Sequence, residues 1–257
     1  MTSAVSQNKR RQVLGLPIDA CSNVLEAALA LHSQGGGQLV TLNAEMAMTA
    51  LERPELEQTI RQADLVIPDG AGVVWALRRQ GVWVRRSPGI ELAHELLAHS
   101  ARQGWRVALV GASPQVMETL VQRLPEQHPG LQFVMALHGY QPAEVWPELE
   151  RQLLSLKPDL VLAALGVPRQ ETWIARLSSG QPGLWMGVGG SFDVWSGQKK
   201  RAPRWMGTLQ IEWLYRLIQE PSRWRRMLSL PRFALAVISG SQPKPAKRKQ
   251  ATGRTTE

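Results

Sequence analysis

The sequence predicts a doubly wound α/β fold built on a mostly parallel sheet. Short apolar runs of strand length recur along the 257 residues, and a helical pattern follows each of the first five. Uninterrupted apolar runs are typical of parallel strands that are buried on both faces. Their alternation with helical segments is typical of β–α–β crossovers. An apolar fraction of 44% is sufficient for the core that such a sheet requires.

Six apolar runs are predicted strands, and they are taken here in chain order. They are QLVTLN (38–43), DLVIPDG (64–70), RVALVGA (106–112), LQFVMALHGY (131–140), DLVLAALG (159–166) and LWMGVGG (184–190). The helical patterns after the first five are AEMAMTALE, AGVVWALRRQG, SPQVMETLVQRL, PAEVWPELERQLLSL and VPRQETWIARL. Ser113 is the predicted N-cap of the third of these helices, and Pro114 takes its first helical position. The segment VLGLPIDAC, near the start of the chain, predicts an edge strand or a hairpin.

The distribution of charge divides the chain into parts. The net charge is +9, but residues 9–11 carry +3, residues 199–232 carry +7 and residues 241–257 carry +4, which leaves −5 for residues 12–198. We therefore predict a disordered N-terminus (1–12), an α/β catalytic core (13–198), a basic, amphipathic helical appendage (199–240) and a disordered basic tail (241–257).

The appendage mixes basic residues with Trp, Leu, Ile and Met at roughly helical spacing. Pro221 predicts a break that divides it into two helices. A basic amphipathic segment of this kind suits a membrane surface that carries a lipid-linked phosphate. Nucleic acid is a second ligand to which its tryptophans and arginines could bind, but the acidic body argues against that class. A solvated charged face is the third interpretation.

Several function classes lack their usual sequence patterns. There is no GxxxxGK[ST] phosphate loop, no Cys/His cluster with zinc spacing and no Asp-x-Asp metal motif. The single cysteine, Cys21, leaves no internal disulfide framework. The N-terminus lacks the apolar segment of a signal peptide, and no apolar run reaches the roughly 20 residues that span a bilayer. A transferase with this sequence would have to neutralise a leaving diphosphate with cationic side chains, helix N-termini or backbone amides.

The candidate site residues follow the predicted strands, because ligands of open α/β sheets bind beyond the carboxyl ends of the strands. They are Thr41, Asn43, Asp69, Gly70, Gly111, Gly166, Gln170, Gly189 and Gly190. Asp69 is an acid at a strand end, so it can take a proton from a hydroxyl nucleophile. It can equally cap the helix predicted to start near Ala71.

Four arginines are candidate phosphate ligands. Arg86 precedes the sequence PGIEL, where a loop is predicted to enter a helix, and Arg216, Arg223 and Arg226 lie in the appendage at intervals of seven and three. The planar guanidinium group holds phosphate oxygens by two-point contacts and stays charged at any working pH. Surface arginines that pair with Glu212 and Glu220 are the alternative.

Eight segments together resemble the WecG/TagA/CpsF glycosyltransferases, glycosyltransferase family 26. They are TLNAEM (41–46), IPDGAGVVWALR (67–78), RSPGIEL (86–92), LVGASP (109–114), LGVPRQE (165–171), GVGGSFDVWSG (187–197), RAPRW (201–205) and EWLYRLIQEPSRWRR (212–226). The resemblance runs from about Gly15 to about Phe233 and implies a Rossmann-like core with a C-terminal appendage that completes the active site.

The resemblance also implies an activity. Members are inverting enzymes that need neither metal nor cofactor and that transfer a hexose-type sugar from a UDP donor to a polyprenyl-diphosphate-linked sugar. N-acetylmannosamine is the expected donor sugar, and a different UDP-hexose for exopolysaccharide is the alternative. The expected location is the cytoplasm, peripheral at the inner face of the bacterial cell membrane, where the appendage meets an anionic surface. An oligomer is compatible with the sequence.

Roles are carried over from the family by motif. Asp69 resembles the general base, and Thr41, Asn43, Arg86 and Gln170 match polar active-site positions. Arg216, Arg223 and Arg226 resemble the arginines that contact the diphosphates, and Gly111 is a further candidate for substrate binding. Deletion of residues 199–257 is expected to leave a soluble α/β body that no longer binds anionic liposomes and is inactive.

Overall fold

A computed structural model describes residues 9–203, 206, 212–221 and 224–240 of the chain. It has three layers, with helices on both faces of a six-stranded sheet. The strands of the sheet are β3 (Gly37–Leu42), β4 (Leu65–Pro68), β5 (Arg106–Gly111), β6 (Gln132–Leu137), β7 (Leu160–Ala164) and β8 (Leu184–Gly187). Their spatial order is β4-β3-β8-β7-β5-β6, and every neighbouring pair is parallel. The predicted α/β class and all six predicted strands are confirmed.

Twelve helices are described in these parts of the chain. They are α1 (Val24–Ser33), α2 (Ala44–Glu52), α3 (Pro54–Gln62), α4 (Ala71–Arg79), α5 (Gly89–Gln103), α6 (Pro114–Gln127), α7 (Trp146–Leu156), α8 (Arg169–Ser178), α9 (Ser191–Trp195), α10 (Glu212–Gln219), α11 (Trp224–Met227) and α12 (Ser229–Ser239). Ser113 is the N-cap of α6, as predicted, and its side chain accepts a hydrogen bond from the Val116 amide.

Alternate side chains of each strand enter different cores, since successive side chains point to opposite faces of a sheet. In β5, Val107 and Leu109 pack into a cluster with α1, α5 and α6, whereas Ala108 and Val110 pack into a cluster with α7 and α8. A third cluster, beneath α2, α3 and α4, lies at the β3–β4 end of the sheet. These two-sided cores explain why the strands have no polar face in the sequence.

A β-hairpin precedes the sheet. Its strands, β1 (Lys9–Val13) and β2 (Leu16–Ala20), are antiparallel, so of the two predicted alternatives the hairpin is correct. The strand β1 includes the last four residues, 9–12, of the N-terminus that was predicted to be disordered. Residues 9–12 are basic and polar, which suggested disorder, but their backbones pair with β2 and the Arg10 side chain pairs with Asp19 at 3.1 Å.

The C-terminal segment contains three described helices, α10, α11 and α12, where two were predicted. Pro221 lies between α10 and α11, which agrees with the predicted break. At its start the segment is fastened to the core by Lys199, whose Nζ lies 2.8 Å from Asp193 Oδ2 and 2.6 Å from Glu220 Oε1. The Lys199 amide also donates to the Asp193 carbonyl.

The last helix, α12, belongs to the core by its packing. Phe233 is 1% exposed and packs in the cluster beneath α2 and α4, together with Leu230 and Val237. Removing residues 199–257 would leave a cavity where Phe233 lies. Losing a buried Phe side chain typically lowers the free energy of unfolding by about 3–5 kcal/mol. We therefore no longer expect this deletion to leave a soluble body. The sequence pattern of α12 did not reveal that the helix packs against α2 and α4.

Candidate active site

The carboxyl ends of β3 and β4 bring Asp69 to the first turn of α5. Asp69 follows β4, and its amide donates to the carbonyl of Leu42 at the end of β3. Its Oδ1 accepts a hydrogen bond of 2.8 Å from the Gly89 amide, the first residue of α5. The N-cap of α4 is Gly70, which makes no side-chain cap, so Asp69 does not occupy the capping position that was its alternative role. The carboxylate is half-buried, next to a helix N-terminus that favours its negative charge.

Two glycines allow Thr41 and Asn43 to lie close to Asp69. A Cβ atom on Gly89 would lie 2.8 Å from Thr41 Cγ2, and one on Gly70 would lie 2.9 Å from Asn43 Cβ. Asn43 is also the N-cap of α2, where its Oδ1 accepts from the Met46 amide at 2.9 Å. The structure thus brings three of the predicted residues, Thr41, Asn43 and Asp69, into one cluster at the sheet edge.

Gly89→Ala should loosen this cluster. The new methyl group would overlap the Thr41 side chain and push α5 away from Asp69, at a cost of about 2 kcal/mol in the free energy of unfolding. Chemical denaturation measures that cost. Gly190→Ala is the control for stability, because no heavy atom lies within 4 Å of its added Cβ. Equal stability losses in the two variants would contradict the close packing of Gly89 and Thr41.

Arg86 enters the site because its loop returns to the end of β4. The amide of the next residue, Ser87, donates to the Pro68 carbonyl at 2.9 Å. Arg86 is half-buried and lines a cavity of about 690 Å³ that extends along α5. A half-buried guanidinium beside a cavity of this size is suited to a phosphate group.

Gln170 lies at the carboxyl ends of β7 and β8, where its side chain contacts the backbone of the loops that follow these strands. It is 3% exposed. Its Oε1 accepts from the amides of Gly166 and Gly189 at 3.1 and 3.2 Å, so one side chain holds together the loops that follow β7 and β8. Its Nε2 donates to Glu171 Oε1 at 2.7 Å. These contacts suit a positioning residue that shapes the pocket through its two loops.

Glu171 is a site-associated residue that sequence reasoning missed. It is 3% exposed, and its Oε2 has no hydrogen-bond partner in the part of the chain that the structure describes. Burial raises the pKa of this carboxyl from 4.5 to about 7, against the lowering effect of hydrogen bonds from the Gln170 side chain and the backbone. A glutamate in the first turn of a helix is ordinarily a surface residue, so the sequence carries no sign of this burial. The structure shows it, because Gly187 of β8 packs so close that a Cβ there would lie 3.1 Å from Glu171 Oε1.

Gly111 lies where the connections of the sheet reverse direction. The chain leaves β5 toward β6 and leaves its neighbour β7 toward β8, so the following helices, α6 and α8, pack on opposite faces. Such a switch point is the usual ligand crevice of an open α/β sheet. Gly111 has φ +115°, and a Cβ there would lie 2.4 Å from the Ala164 carbonyl oxygen. Four strand spacings separate β5 from β4, which places Gly111 about 19 Å from the Asp69 end of the edge.

The three appendage arginines are not placed by the structure. Arg223 lies outside the described residues. Arg216 and Arg226 belong to the helices α10 and α11, but their side chains are outside the described part. Their contact with a diphosphate stays a prediction. Among the residues that are described, no group of three or more His, Cys, Asp or Glu side chains is arranged to hold a metal ion.

Comparison with known proteins agrees with the resemblance in the sequence. The sequence profile of the Glycosyl transferase WecG/TagA/CpsF family matches residues 11–247. The N-acetylglucosaminyldiphosphoundecaprenol N-acetyl-beta-D-mannosaminyltransferase of Bacillus spizizenii is 35% identical over 210 residues, which cover 81% of each chain. The Bacillus subtilis (strain 168) protein of the same name is 34% identical over 220 residues, 82% of this chain and 85% of the relative. The chain therefore belongs to the WecG/TagA/CpsF glycosyltransferase family.

Proposed function

We propose that this protein is an inverting hexosyltransferase that moves a sugar, N-acetylmannosamine, from a UDP donor to a polyprenyl-diphosphate-linked N-acetylglucosamine. The observation that carries the proposal is the carboxylate of Asp69, held at a strand end between Thr41, Asn43 and the first turn of α5. The names of the two Bacillus relatives supply the sugar and the lipid-linked acceptor. The products of such a reaction serve the synthesis of cell-surface polysaccharide.

The donor would lie along the carboxyl edge of the sheet, between the Gly111 and Asp69 ends. The crevice at Gly111, with the N-terminus of α6 beside it, offers backbone amides and a positive dipole end to the UDP group. The sugar would then extend along the edge toward Asp69. Gly111 would serve this step through its backbone: without a side chain it packs against the Ala164 carbonyl, which holds the crevice in shape.

The reaction proceeds by direct displacement. Asp69 removes the proton from the attacking hydroxyl of the acceptor, and the hydroxyl oxygen forms a bond to the anomeric carbon of the donor as the bond to the UDP oxygen breaks. Arg86 and the appendage residues Arg216, Arg223 and Arg226 stabilise the charge that develops on the diphosphate. Thr41 and Asn43 orient the sugar, and Gln170 keeps the pocket loops in place. No step in this scheme draws on a metal, so activity is expected to persist in chelator.

A panel of UDP-sugars tests the proposal. Each is incubated, in chelator, with the protein and a short-chain prenyl diphosphate that carries N-acetylglucosamine, and UDP release is measured. Acceptor-dependent release from UDP-N-acetylmannosamine is the expected result. Release from another UDP-hexose would preserve the class and replace the donor, and a strict requirement for manganese would contradict the metal-independent scheme. Absence of release from every donor, with anionic liposomes also present, would contradict the enzyme assignment.

We also propose that the C-terminal helices lie on the membrane that carries the acceptor. No helix in the described residues is long and apolar enough to cross a bilayer. Large apolar side chains nevertheless face outward from this segment: Trp213, Leu214, Ile218, Trp224, Leu228, Leu235 and Ile238. Arginines interleave with them in the sequence, a combination typical of helices that bind anionic lipid surfaces.

Replacing three of these side chains should weaken membrane binding. Ile218, Leu235 and Ile238 are 67%, 67% and 59% exposed, so a triple change to Ser removes apolar area without emptying the core. We expect at least about a tenfold loss in partition onto anionic vesicles, because each large aliphatic side chain contributes about 1.5–3 kcal/mol when fully buried. Co-sedimentation measures it. The matched control changes Val121 and Val145 to Ser, both exposed on the body, and should bind as the parent does.

A further inference from the structure

The cavity beside Arg86 has walls that the donor scheme does not use. They are formed by the first turns of α5, by α9 and by residues 201–202, which lead out of the core. None of the described residues that line it belongs to β5, β7 or the loops that follow them. Its volume of about 690 Å³ lies within the range of about 300–1,000 Å³ that is usual for small-molecule sites.

The walls of this cavity combine apolar and charged groups. Trp195 is half-buried and held by packing against Phe192, with ring centroids 5.9 Å apart. Ile90 adds a half-buried aliphatic surface. Arg201 forms an ion pair with Glu91 across the cavity wall. An indole face suits the C–H surface of a sugar ring, and charged hydrogen-bonding groups suit hydroxyls and phosphate oxygens.

The cavity begins next to the carboxylate that we assign as the base. Gly89, whose amide donates to Asp69 Oδ1 at 2.8 Å, lies between Pro88 and Ile90, and both of these residues line the cavity. A sugar bound at this end of the cavity would therefore lie close to the turn of α5 whose amide holds Asp69. The crevice at Gly111, where the UDP group is proposed to bind, lies about 19 Å away along the sheet edge.

We propose that this cavity, the acceptor cavity, binds the sugar-diphosphate end of the lipid-linked acceptor. Trp195 and Ile90 contact the sugar ring, and Arg201 holds the diphosphate. Glu91 orients Arg201. The lipid chain leaves along residues 201–202 toward the exposed apolar side chains of the C-terminal helices. The inference rests on the proposed function, since it takes its ligand class from that reaction.

Calorimetric titration tests the assignment without requiring turnover. The probe is the short-chain prenyl diphosphate with N-acetylglucosamine, added to the full-length protein both alone and saturated with UDP. Arg201→Gln removes one charged contact, and Ile90→Trp fills the cavity while leaving every polar group in place. We expect each to weaken probe binding by about ten- to a hundredfold, as is typical for the loss of a contact to a charged group. UDP binding, measured in the same variants, should change less than about twofold.

Arg176→Gln is the matched control. Arg176 is also an exposed arginine paired with a glutamate, Glu150, but it lies in the last turn of α8, away from the cavity. The probe should bind this variant as it binds the parent. Unchanged probe binding in Arg201→Gln and Ile90→Trp, or failure of the parent to bind the probe with and without UDP, would overturn the inference. A loss of UDP affinity instead would assign the cavity to the donor. The UDP-release assay with the panel of UDP-sugars, carried out on the unchanged protein, tests the proposed function separately.

Discussion

Asp69→Asn is expected to lower turnover by about 10²–10⁴-fold, the usual contribution of a general base, while donor affinity changes little. An amide cannot remove the proton from the acceptor hydroxyl. Its oxygen can still accept the hydrogen bond from the Gly89 amide that Asp69 Oδ1 receives at 2.8 Å, so the position of α5 should be preserved. UDP release with saturating acceptor measures turnover, and titration with UDP measures affinity for the donor's nucleotide.

Asp159→Asn is the matched control for this change. Asp159 also lies at a strand end and also accepts a backbone amide, from Arg106 at 2.8 Å, but it precedes β7 and so lies at the opposite edge of the sheet. It should retain normal turnover. Comparable turnover in Asp69→Asn and the parent would remove Asp69 from the role of base and leave it as a support for α5.

Glu171→Gln is expected to remove a pH dependence of stability. The folded-state pKa of Glu171, about 7, is above the ordinary value of 4.5, so the folded protein binds more protons than the unfolded chain between these values. Its stability therefore falls as pH rises from about 4.5 to about 7 and stays reduced above that range. The shift of about 2.5 pH units corresponds to about 3 kcal/mol of lost stability at pH 8, relative to pH 4.

Gln is neutral throughout this range and can still accept a hydrogen bond from Gln170 Nε2. In the variant, the free energy of unfolding should therefore fall with pH only through the titration of other groups. Urea denaturation at pH 5 and pH 8 measures the difference. Glu118→Gln, a change at an exposed position of α6, should keep the pH dependence of the parent. The same decline in Glu171→Gln as in the parent would show that the carboxyl is not held in its neutral form by burial.

The sheet could be predicted because each strand is an uninterrupted apolar run, which is typical of a strand buried on both faces. DLVLAALG (159–166) is apolar on both faces, and the structure buries both faces of β7. The start of α5 was also foreseen, after Arg86 in the sequence PGIEL. The helices α1 and α3 were not among the predicted ones, although α3 has Pro54 at its first position. Helices were predicted only after strands of the main sheet, whereas α1 follows the hairpin and α3 follows α2.

The site was only partly predictable, because its geometry depends on contacts between distant residues. The position of Asp69 at a strand end follows from local pattern. Its bond to Gly89, twenty residues further on, depends on how the loop after α4 returns to β4. Gln170 was predicted to be a polar active-site residue, and that role stays a prediction. Its bonds to Gly166 and Gly189 join two loops that no sequence periodicity relates. The burial of Glu171 depends likewise on the approach of Gly187.

The packing of α12 has a consequence for the order in which the protein is made. The cluster beneath α2 and α4 contains Val13 and Ile18 from the N-terminal hairpin together with Phe233 from α12, so the two ends of the described chain meet in one core. A nascent chain leaves the ribosome with its N-terminus first. The core beneath α2 and α4 therefore cannot be completed until α12 has left the ribosome. The segment proposed to bind membrane is thus synthesised after the body of the protein and completes its folding. A chain truncated before α12 would lack both Phe233 and the helices proposed to bind membrane, so this core would stay open.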